Sequence, residues 1–400
     1  SEMIVDIAQR RAVTLDSNEE VSFTSKGKIT LKSEETAGLE VQSHTQRVLL
    51  TAINNGIIEG TGNKQVAIIF TPEQTSNGTH ALENRKDIIL KGSQSTGIAL
   101  NGRTGDSWKL RAINRGNITL NGTKSFGIAL PTNSNTQAGT LILNDTAGVI
   151  TVNGAESGGM VIQSALESSV LNNGTININS DKSFGIYSQI SNEMKNSGTI
   201  NLNGTDESIG LRSAGGFLSN DTAGRINITG GNNNIGMYAS AGKTENKGTI
   251  TISGGTENIG VMLSGTSTSG KNTGKMSISG TGSRGAVVIN GGSFVNTNEF
   301  KVSGENSYGY IAKGGTITGG TVDINITGEE SVGIYAGGVT TASIVSLNSG
   351  NVNLNNGGIN FNAGKTGTLN LNGTKFVSGN KSLGFYTTDN GKINITNVEG

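Results

Sequence analysis

The chain repeats a short pattern in which apolar and polar residues alternate and then give way to a polar turn. In NKGTITISGGTENIGVML, residues 246–263, Ile250 and Ile252 alternate with polar neighbours before the turn GGTEN and the apolar segment NIGVML. Alternation with a period of two is typical of a strand with one buried and one solvated face. The pattern therefore predicts a strand, a tight turn and a second short strand in each unit.

Similar units recur along almost the whole chain. Their opening glycines are Gly27, Gly56, Gly116, Gly148, Gly174, Gly198, Gly224, Gly248, Gly274, Gly367 and Gly391. From Gly174 to Gly274 the intervals are 24, 26, 24 and 26 residues, within the range of solenoid repeats. Each unit has room for a third extended segment before the next corner. We therefore predict an all-β parallel β-helix of roughly 14 three-sided coils, each of about 24–30 residues.

The second strand of each unit is interrupted by a glycine between two apolar positions, and alternation places both positions on the inward face. The residues before the glycine are Phe126, Phe184, Ile209, Ile235, Ile259, Val332 and Leu383. The residues after it are Ile128, Ile186, Leu211, Met237, Val261, Ile334 and Phe385.

Asparagine recurs at or near one corner of the predicted coil. The residues concerned are Asn54, Asn114, Asn173, Asn196, Asn246 and Asn272. Because identical side chains stack above each other in such a fold, these amides predict a hydrogen-bonded ladder.

Composition narrows the classes of function. The chain has 62 Gly, 2 Pro, no Cys and 33 % apolar residues, which favours a thin continuous core over a broad one. Lys plus Arg and Asp plus Glu number 30 each, so no excess charge favours nucleic acid or an anionic membrane surface. No apolar run reaches the roughly 20 residues of a membrane-spanning helix. The absence of Cys excludes disulfides and thiolate metal sites, and we expect no metal and no cofactor.

The repeats predict one β-helix segment over residues 1–400. Coils with long insertions are expected in 1–165, regular coils in 166–336 and irregular coils in 337–400. In solenoids, insertions form loops that often lie on the binding face.

The units N-x-G-T-I-x-[IL]-x-G and S-x-G-[ILMV]-[YA] resemble those of type V autotransporter passenger domains, most closely the large fusobacterial outer-membrane autotransporter adhesins. The resemblance extends from about Gly27 to Ile395. It implies a right-handed β-helix, exported through a C-terminal outer-membrane β-barrel and displayed on the cell surface as an adhesin. The sequence shows neither a signal peptide nor a barrel and stops in mid-unit at GKINITNVEG, so we expect a segment of a longer passenger.

Two groups of residues are candidates for ligand binding. The first is a row two positions after the second-strand glycine, where Tyr187, Tyr238, Met262, Tyr335 and Tyr386 are expected on the outer face. Aromatic side chains there could stack on sugars or anchor a protein, unless loops cover them. The second group is Trp108 with Arg103, Asp106 and Arg111 in the insertion 101–112, although Trp108 could instead cap the local core.

Catalytic motifs are weak. GTGSRG, residues 280–285, fits a dinucleotide fingerprint but precedes the strand-like AVVIN, whereas nucleotide binding needs a helix there. The only histidines are His44 and His80, and neither accompanies a nucleophile motif. The acidic residues Asp206, Glu207, Glu257, Glu305, Glu329 and Glu330 recur at a predicted solvated turn.

We therefore expect a non-catalytic, monomeric adhesin segment on the outer membrane surface. Its partner would be a glycan or protein receptor on host cells or other bacteria, not nucleic acid. It would be attached to a membrane only through the C-terminal β-barrel that this sequence does not include. A polysaccharide-processing β-helix enzyme and a pure structural spacer are the alternatives.

Overall fold

The computed structural model describes residues 2–17, 19–43, 49–72, 79–101, 109–130, 140–163, 168–189, 193–298, 300–338 and 340–400. These residues form β-strands joined by turns. Wherever the register between two of the described strands is defined, the two strands are parallel. The chain divides into two compact units, Ser1–Asn201 and Leu202–Gly400. Between them, the units contain about 13 turns of a parallel β-solenoid. The predicted fold class is confirmed, while its right-handed sense stays a prediction.

Unit 1 consists of three parallel sheets, one for each side of the coil. The first contains β1 (Glu2–Val5), β4 (Lys28–Leu31), β7 (Ile57–Gly60), β10 (Asp87–Leu90), β13 (Asn117–Leu120), β16 (Val149–Val152) and β19 (Thr175–Ile178). The second contains β2 (Arg11–Asp16), β5 (Ala37–Ser43), β8 (Val66–Pro72), β11 (Thr96–Leu100), β14 (Phe126–Leu130), β17 (Gly158–Ile162) and β20 (Phe184–Ser188). The third contains β3 (Val21–Ser25), β6 (Leu50–Asn54), β9 (Thr79–Asn84), β12 (Lys109–Asn114), β15 (Thr140–Asn144), β18 (Ser168–Asn172) and β21 (Glu193–Asn196).

Unit 2 repeats the three sheets, but several strands bend around a corner and contribute to more than one sheet. After β22 (Thr199–Asn203), which spans the unit boundary, its strands are β23 (Ile209–Asn220), β24 (Arg225–Thr229), β25 (Ile235–Asn246), β26 (Thr249–Thr256), β27 (Ile259–Ser264), β28 (Thr268–Asn272), β29 (Lys275–Thr281), β30 (Arg284–Ile289), β31 (Ser293–Asn296), β32 (Phe300–Val302), β33 (Tyr308–Lys313), β34 (Thr316–Ile326), β35 (Ser331–Ala336), β36 (Ser343–Ala363), β37 (Gly367–Asn372), β38 (Thr374–Thr387) and β39 (Lys392–Thr396).

The core consists of columns of like side chains, because strands of successive coils pair in register. In the first sheet, Ile88 lies opposite Ile58 on one side and Ile118 on the other, and all three are fully buried. The same register in unit 2 places Ile250 between Ile226 and Met276. The alternation seen in the sequence therefore fills a narrow interior, as predicted, with the polar positions outside.

The predicted asparagine ladder is present in both units. In unit 1 each side-chain Nδ2 donates to the Oδ1 of the next coil at 2.7–2.8 Å, from Asn54 through Asn84, Asn114, Asn144 and Asn172 to Asn196. In unit 2 the ladder joins Asn220, Asn246, Asn272 and Asn296 at 2.6–2.8 Å. The assignment of Asn173 was wrong by one residue, because Asn172 ends the strand and occupies the buried corner.

The turn between the first and second sheets contains a residue in the left-handed backbone region in most coils. Glycine and asparagine adopt this conformation most readily, but unit 1 has charged or long polar side chains there, such as Glu35, Lys64 and Lys124, with φ of 54–57°. The amide of each donates to a carbonyl of the following coil, as Lys64 does to Ser93 at 2.8 Å and Lys124 to Ala155 at 3.0 Å. These bonds between coils offset the conformational cost of a left-handed backbone in a non-glycine residue.

One polar side chain interrupts the core of unit 1 without a hydrogen bond. His80 lies between Leu50 and Leu110 in the third sheet and stacks on Phe70, with the ring centroids 4.9 Å apart. Neither of its ring nitrogens has a partner among the described residues. Burial lowers the pKa of His80 from 6.5 to about 4, so the neutral imidazole is the form that the fold favours.

Asn114→Ala is expected to lower the free energy of unfolding by about 1–3 kcal/mol, because it leaves the buried Oδ1 of Asn144 without its donor. Denaturant titration followed by circular dichroism measures the loss. Asn153→Ala is the matched control, since Asn153 belongs to an exposed amide ladder with Asn121 and Asn179, and the change should stay within about 0.5 kcal/mol. If the two variants lost the same free energy of unfolding, burial would not be the reason why the Asn114 ladder stabilises the fold.

Acid is expected to destabilise the chain through His80. Since its folded pKa lies below its unfolded value, the stability contributed by the neutral ring is complete above pH 6.5 and is lost as pH falls towards about 4. The full loss is about 3 kcal/mol. His80→Leu, which continues the leucine column, should remove this part of the pH dependence when thermal unfolding is compared at pH 7.5 and 4.5. An unchanged difference between the two pH values would show that other groups control acid sensitivity.

Candidate functional site

The glycine of the second strand marks a bend that changes which side chains face outward. A Cβ on Gly127 would lie 2.7 Å from Cγ2 of the buried Ile150, so this glycine itself faces the core. Ile128 also faces the core, and Phe126 is consequently turned outward and half-buried. The prediction that the residues on both sides of the glycine face inward was wrong for the preceding residue.

The second sheet therefore presents two outward columns, three residues apart along each strand. The column before the glycine contains Val66, Thr96, Phe126, Gly158 and Phe184 in unit 1, and Ile209, Ile235, Ile259, Arg284, Tyr308, Val332, Ile359 and Leu383 in unit 2. The tyrosine column, two residues after the glycine, contains Ile69, Ala99, Ala129, Val161 and Tyr187 in unit 1, and Arg212, Tyr238, Met262, Val287, Ile311, Tyr335, Asn362 and Tyr386 in unit 2. Most of these side chains are apolar although they point away from the main core. Phe126, Phe184, Tyr238 and Met262 are half-buried, whereas Ile69, Ala99, Val161, Val287, Ile311 and Val332 are buried.

Both columns contribute to an aromatic cluster in unit 1. The rings of Phe126 and Phe184 stack with centroids 6.3 Å apart, and Tyr187 tilts against Phe184 at 5.5 Å. The coil between the two phenylalanines contributes Gly158, where a Cβ would overlap the Phe184 ring. Glycine at this position therefore makes room for the ring of Phe184 to lie flat on the sheet.

A groove of about 220 Å³ lies beside this cluster on the same face of unit 1. Small side chains of Ala99 and Ala129 line it together with Val66, Ile69 and Phe126, and Asn101 and Gln163 are its polar members. Apolar concavities with a few polar groups are typical of ligand sites, and exposed apolar surface is typical of interaction sites. This groove and the aromatic cluster are the candidate site of unit 1.

The four tyrosines of the sequence prediction share the tyrosine column. Tyr187 is in unit 1, and Tyr238, Tyr335 and Tyr386 are in unit 2. The first three are half-buried, and Tyr386 is 43 % exposed. In unit 2, Met262, Val287 and Ile311 lie between Tyr238 and Tyr335, and Asn362 lies between Tyr335 and Tyr386, so this column is mainly apolar with aromatic members.

The second predicted group cannot be assembled from the structure. Arg103, Asp106 and Trp108 lie outside the described residues. Arg111 is described and is exposed on β12 of the third sheet. It is therefore on a different side of the coil from Tyr187.

Charges are distributed mainly as local ion pairs on the other sides of the coil. On the first sheet Glu59 accepts from Lys91 at 2.5 Å and Lys28 at 3.0 Å, and these bonds lower the pKa of its carboxyl. Near the third sheet, burial opposes ionisation of Glu83, but bonds from Arg85 and Arg115 overcome it and lower its pKa.

The acidic residues that recur at the predicted solvated turn are exposed there, as expected: Asp206, Glu207, Glu257, Glu305, Glu329 and Glu330. Within the described part of the chain, no group of three or more His, Cys, Asp or Glu side chains could hold a metal ion. The same residues include no helix that is long and apolar enough to cross a bilayer.

The outward residues before the glycine were missed in the sequence because alternation was continued through the glycine. The signal that could have revealed them is the glycine itself, which recurs at one position inside an otherwise bulky strand. A repeated glycine of this kind indicates a position where a neighbouring side chain leaves no space for a Cβ.

Comparison with known proteins identifies one family. A protein-family model described as the BigA third pectate lyase-like domain matches residues 2–214. A β-helix domain of this kind fits an autotransporter-like passenger. The likeness to pectate lyases concerns the fold and says nothing about catalysis. Neither the curated proteins nor the solved structures gave a match.

Phe184→Ala is expected to lower the free energy of unfolding by only about 1 kcal/mol, because its ring is half-exposed on the outer face. Phe70→Ala, in the same sheet but fully buried, should cost about 3–5 kcal/mol. Denaturant titration of both variants measures the contrast. A loss for Phe184→Ala as large as that for Phe70→Ala would make the aromatic cluster a structural element of the fold.

Proposed function

The chain belongs to the family of BigA third pectate lyase-like domains, and from this premise we propose that it is a non-catalytic adhesin segment of a bacterial autotransporter passenger. It would stand on the outer membrane surface as part of a rod and attach to host cells or other bacteria. Its partner would be a surface glycan or a protein receptor, which it would bind as a monomer, without a cofactor. The repeat style favours a parent among the large fusobacterial adhesins.

The observation that carries this proposal is the apolar outer face of the second sheet. A strand needs apolar residues only on its buried face, and most outward positions of the first sheet follow that rule with Thr, Asn, Lys and Glu. The exceptions in unit 1 are Ile4, Ile57, Ile89 and Val149. The second sheet departs from it in both units, with outward Phe, Tyr, Ile and Met. Apolar surface that the fold itself does not need is a mark of interaction with a partner.

The two alternatives predict different surfaces. A polysaccharide-processing enzyme would bring two carboxylates together across a sugar, whereas the acidic residues from Asp206 to Glu330 follow one another along an exposed turn of successive coils. That alternative is not favoured. A pure spacer would have no use for an apolar outer face, and it serves as the contrasting outcome of the experiment below.

Beads coated with the intact chain are expected to attach to epithelial or bacterial cells, and attachment should fall about tenfold in the triple variant Phe126→Ser, Phe184→Ser and Tyr187→Ser. The matched control is Thr119→Ser, Thr151→Ser and Asn177→Ser, which alters outward residues on the first sheet of the same unit. A tenfold change corresponds to about 1.4 kcal/mol of binding free energy, which is less than the loss on truncating one aromatic residue that anchors an interface. Coated beads that attach no better than uncoated ones would support the spacer instead.

A further inference from the structure

A hollow on the outer face of the second sheet in unit 2 combines aromatic rings, cations and an amide. Its volume is about 280 Å³, and its lining residues are Arg284, Tyr308, Ile311, Lys313, Tyr335 and Asn362. We propose that it binds the acidic sugar of a surface glycan, a pyranose ring that carries a carboxylate or a sulfate. This proposal rests on the proposed adhesive function and deepens it by naming the chemical class of the ligand.

Two tyrosines form the walls of the hollow. Tyr308 belongs to the column before the glycine on β33, and Tyr335 belongs to the tyrosine column on the next coil, β35. The buried Ile311 lies between them as an apolar floor. Two aromatic faces above an apolar floor suit the C–H face of a pyranose, which is flat and largely apolar on one side.

Two glycines beside the Tyr335 ring leave the space that it occupies. A Cβ on Gly337 would lie 2.6 Å from the Tyr335 hydroxyl, and one on Gly364 would lie 3.1 Å from it. The glycines thus leave the space into which the ring extends. A tyrosine side chain has only two rotatable side-chain torsions that position its ring, so it loses little conformational freedom when a ligand stacks on it.

The two cations of the hollow differ in how much of their charge is already balanced. Arg284 is bound to Glu257, with Nη2 and Oε2 3.0 Å apart, so an acidic partner is already in place. Lys313 has no carboxylate partner among the described residues, and its Nζ lies 6.0 Å from the centroid of the Tyr335 ring. A cation next to an aromatic wall is well placed for an anionic group on a sugar that stacks there.

The remaining polar group favours a ligand with hydroxyls. The side chain of Asn362 is half-buried in the wall, and its Oδ1 has no hydrogen-bond partner among the described residues. This oxygen is shielded from solvent, so the amide must rotate before a sugar hydroxyl can donate a hydrogen bond to it. An acidic peptide would supply the negative charge but no flat ring face for the tyrosines, so the sugar accounts for more of the site.

A second cavity lies on the other side of Lys313 and offers space for the next sugar of a chain. It has a volume of about 310 Å³ and includes Asn290, Lys313 and Thr341 in its lining. Taken together, the two cavities fall within the range of roughly 300–1,000 Å³ that is typical of small-molecule sites. Lys313 lies between them, where it can contact an acid group on either side.

The test measures binding of the intact 400-residue chain to sialyllactose, sulfated lactose and neutral lactose by calorimetry. We expect the two acidic sugars to bind and lactose to bind at least about tenfold more weakly. Lys313→Gln should weaken binding of the acidic sugars by about tenfold or more, and Lys313→Arg should retain it. Tyr335→Ala should weaken the binding of all three sugars, because it removes the aromatic face on which they stack.

Lys275→Gln is the matched control. It removes one positive charge from a lysine-lined hollow of about 300 Å³ on the first sheet of the same unit, and the described residues of that lining include no aromatic ring. Binding should be unchanged in this variant. Circular dichroism and thermal unfolding of every variant show whether the fold is retained.

The outcomes separate this site from the adhesive function as a whole. Equal binding of lactose and the acidic sugars overturns the acidic specificity, and equal losses in Lys313→Gln and Lys275→Gln overturn the site. If coated beads attach to cells but the chain binds none of the sugars, the proposal of a glycan ligand is overturned, and adhesion through a protein receptor is retained. Absence of both sugar binding and cell attachment removes the two proposals together, whereas preference for one acidic sugar identifies the acid group.

Discussion

Parallel hydrogen bonding in register between successive coils is the constraint on which the rest of this structure depends. Each backbone amide of a strand bonds to the coil next to it, so a side chain must be compatible with the same position one coil away. Inside, this places isoleucine on isoleucine and asparagine on asparagine. The Asn column could not be buried otherwise, because a buried amide needs a donor and an acceptor and the next coil supplies both.

The same constraint acts on the outer surface, where it turns single residues into strips. On the first sheet it brings oppositely charged residues together, as Lys28 and Glu59, and aligns amides such as Asn177 and Asn201 at 2.9 Å. On the second sheet it aligns apolar and aromatic residues. A solenoid of this kind can therefore have a polar side and an apolar side within one coil, which gives a partner a preferred side to approach.

The bend at the second-strand glycine connects the core to the candidate sites. Because the glycine and the next residue both face inward, each strand presents two outward positions that lie three residues apart. Those positions form the aromatic cluster of Phe126, Phe184 and Tyr187 in unit 1 and the walls of the hollow at Tyr308 and Tyr335 in unit 2. A feature required by packing thus creates the space in which a ligand can bind.

The sequence by itself determined the β class, the three-sided coil and the turn positions, because an alternation of period two and a repeat of fixed length leave few other ways to bury the apolar residues. It also located the asparagine corner, with an error of one residue at Asn173, and the outward direction of Tyr187, Tyr238 and Tyr335. These features depend on residues close together in the chain.

Only the tertiary structure decided which residues meet across coils. Phe126 and Phe184 are 58 positions apart in the numbering and touch only because Gly158 leaves space between them. Arg284, Lys313 and Asn362 come from different coils, and their approach depends on the exact register and on the bend at each glycine. The position of a side chain in the repeat determines the face on which it lies. Its neighbours, however, belong to the coils on either side, and those residues are distant in the sequence.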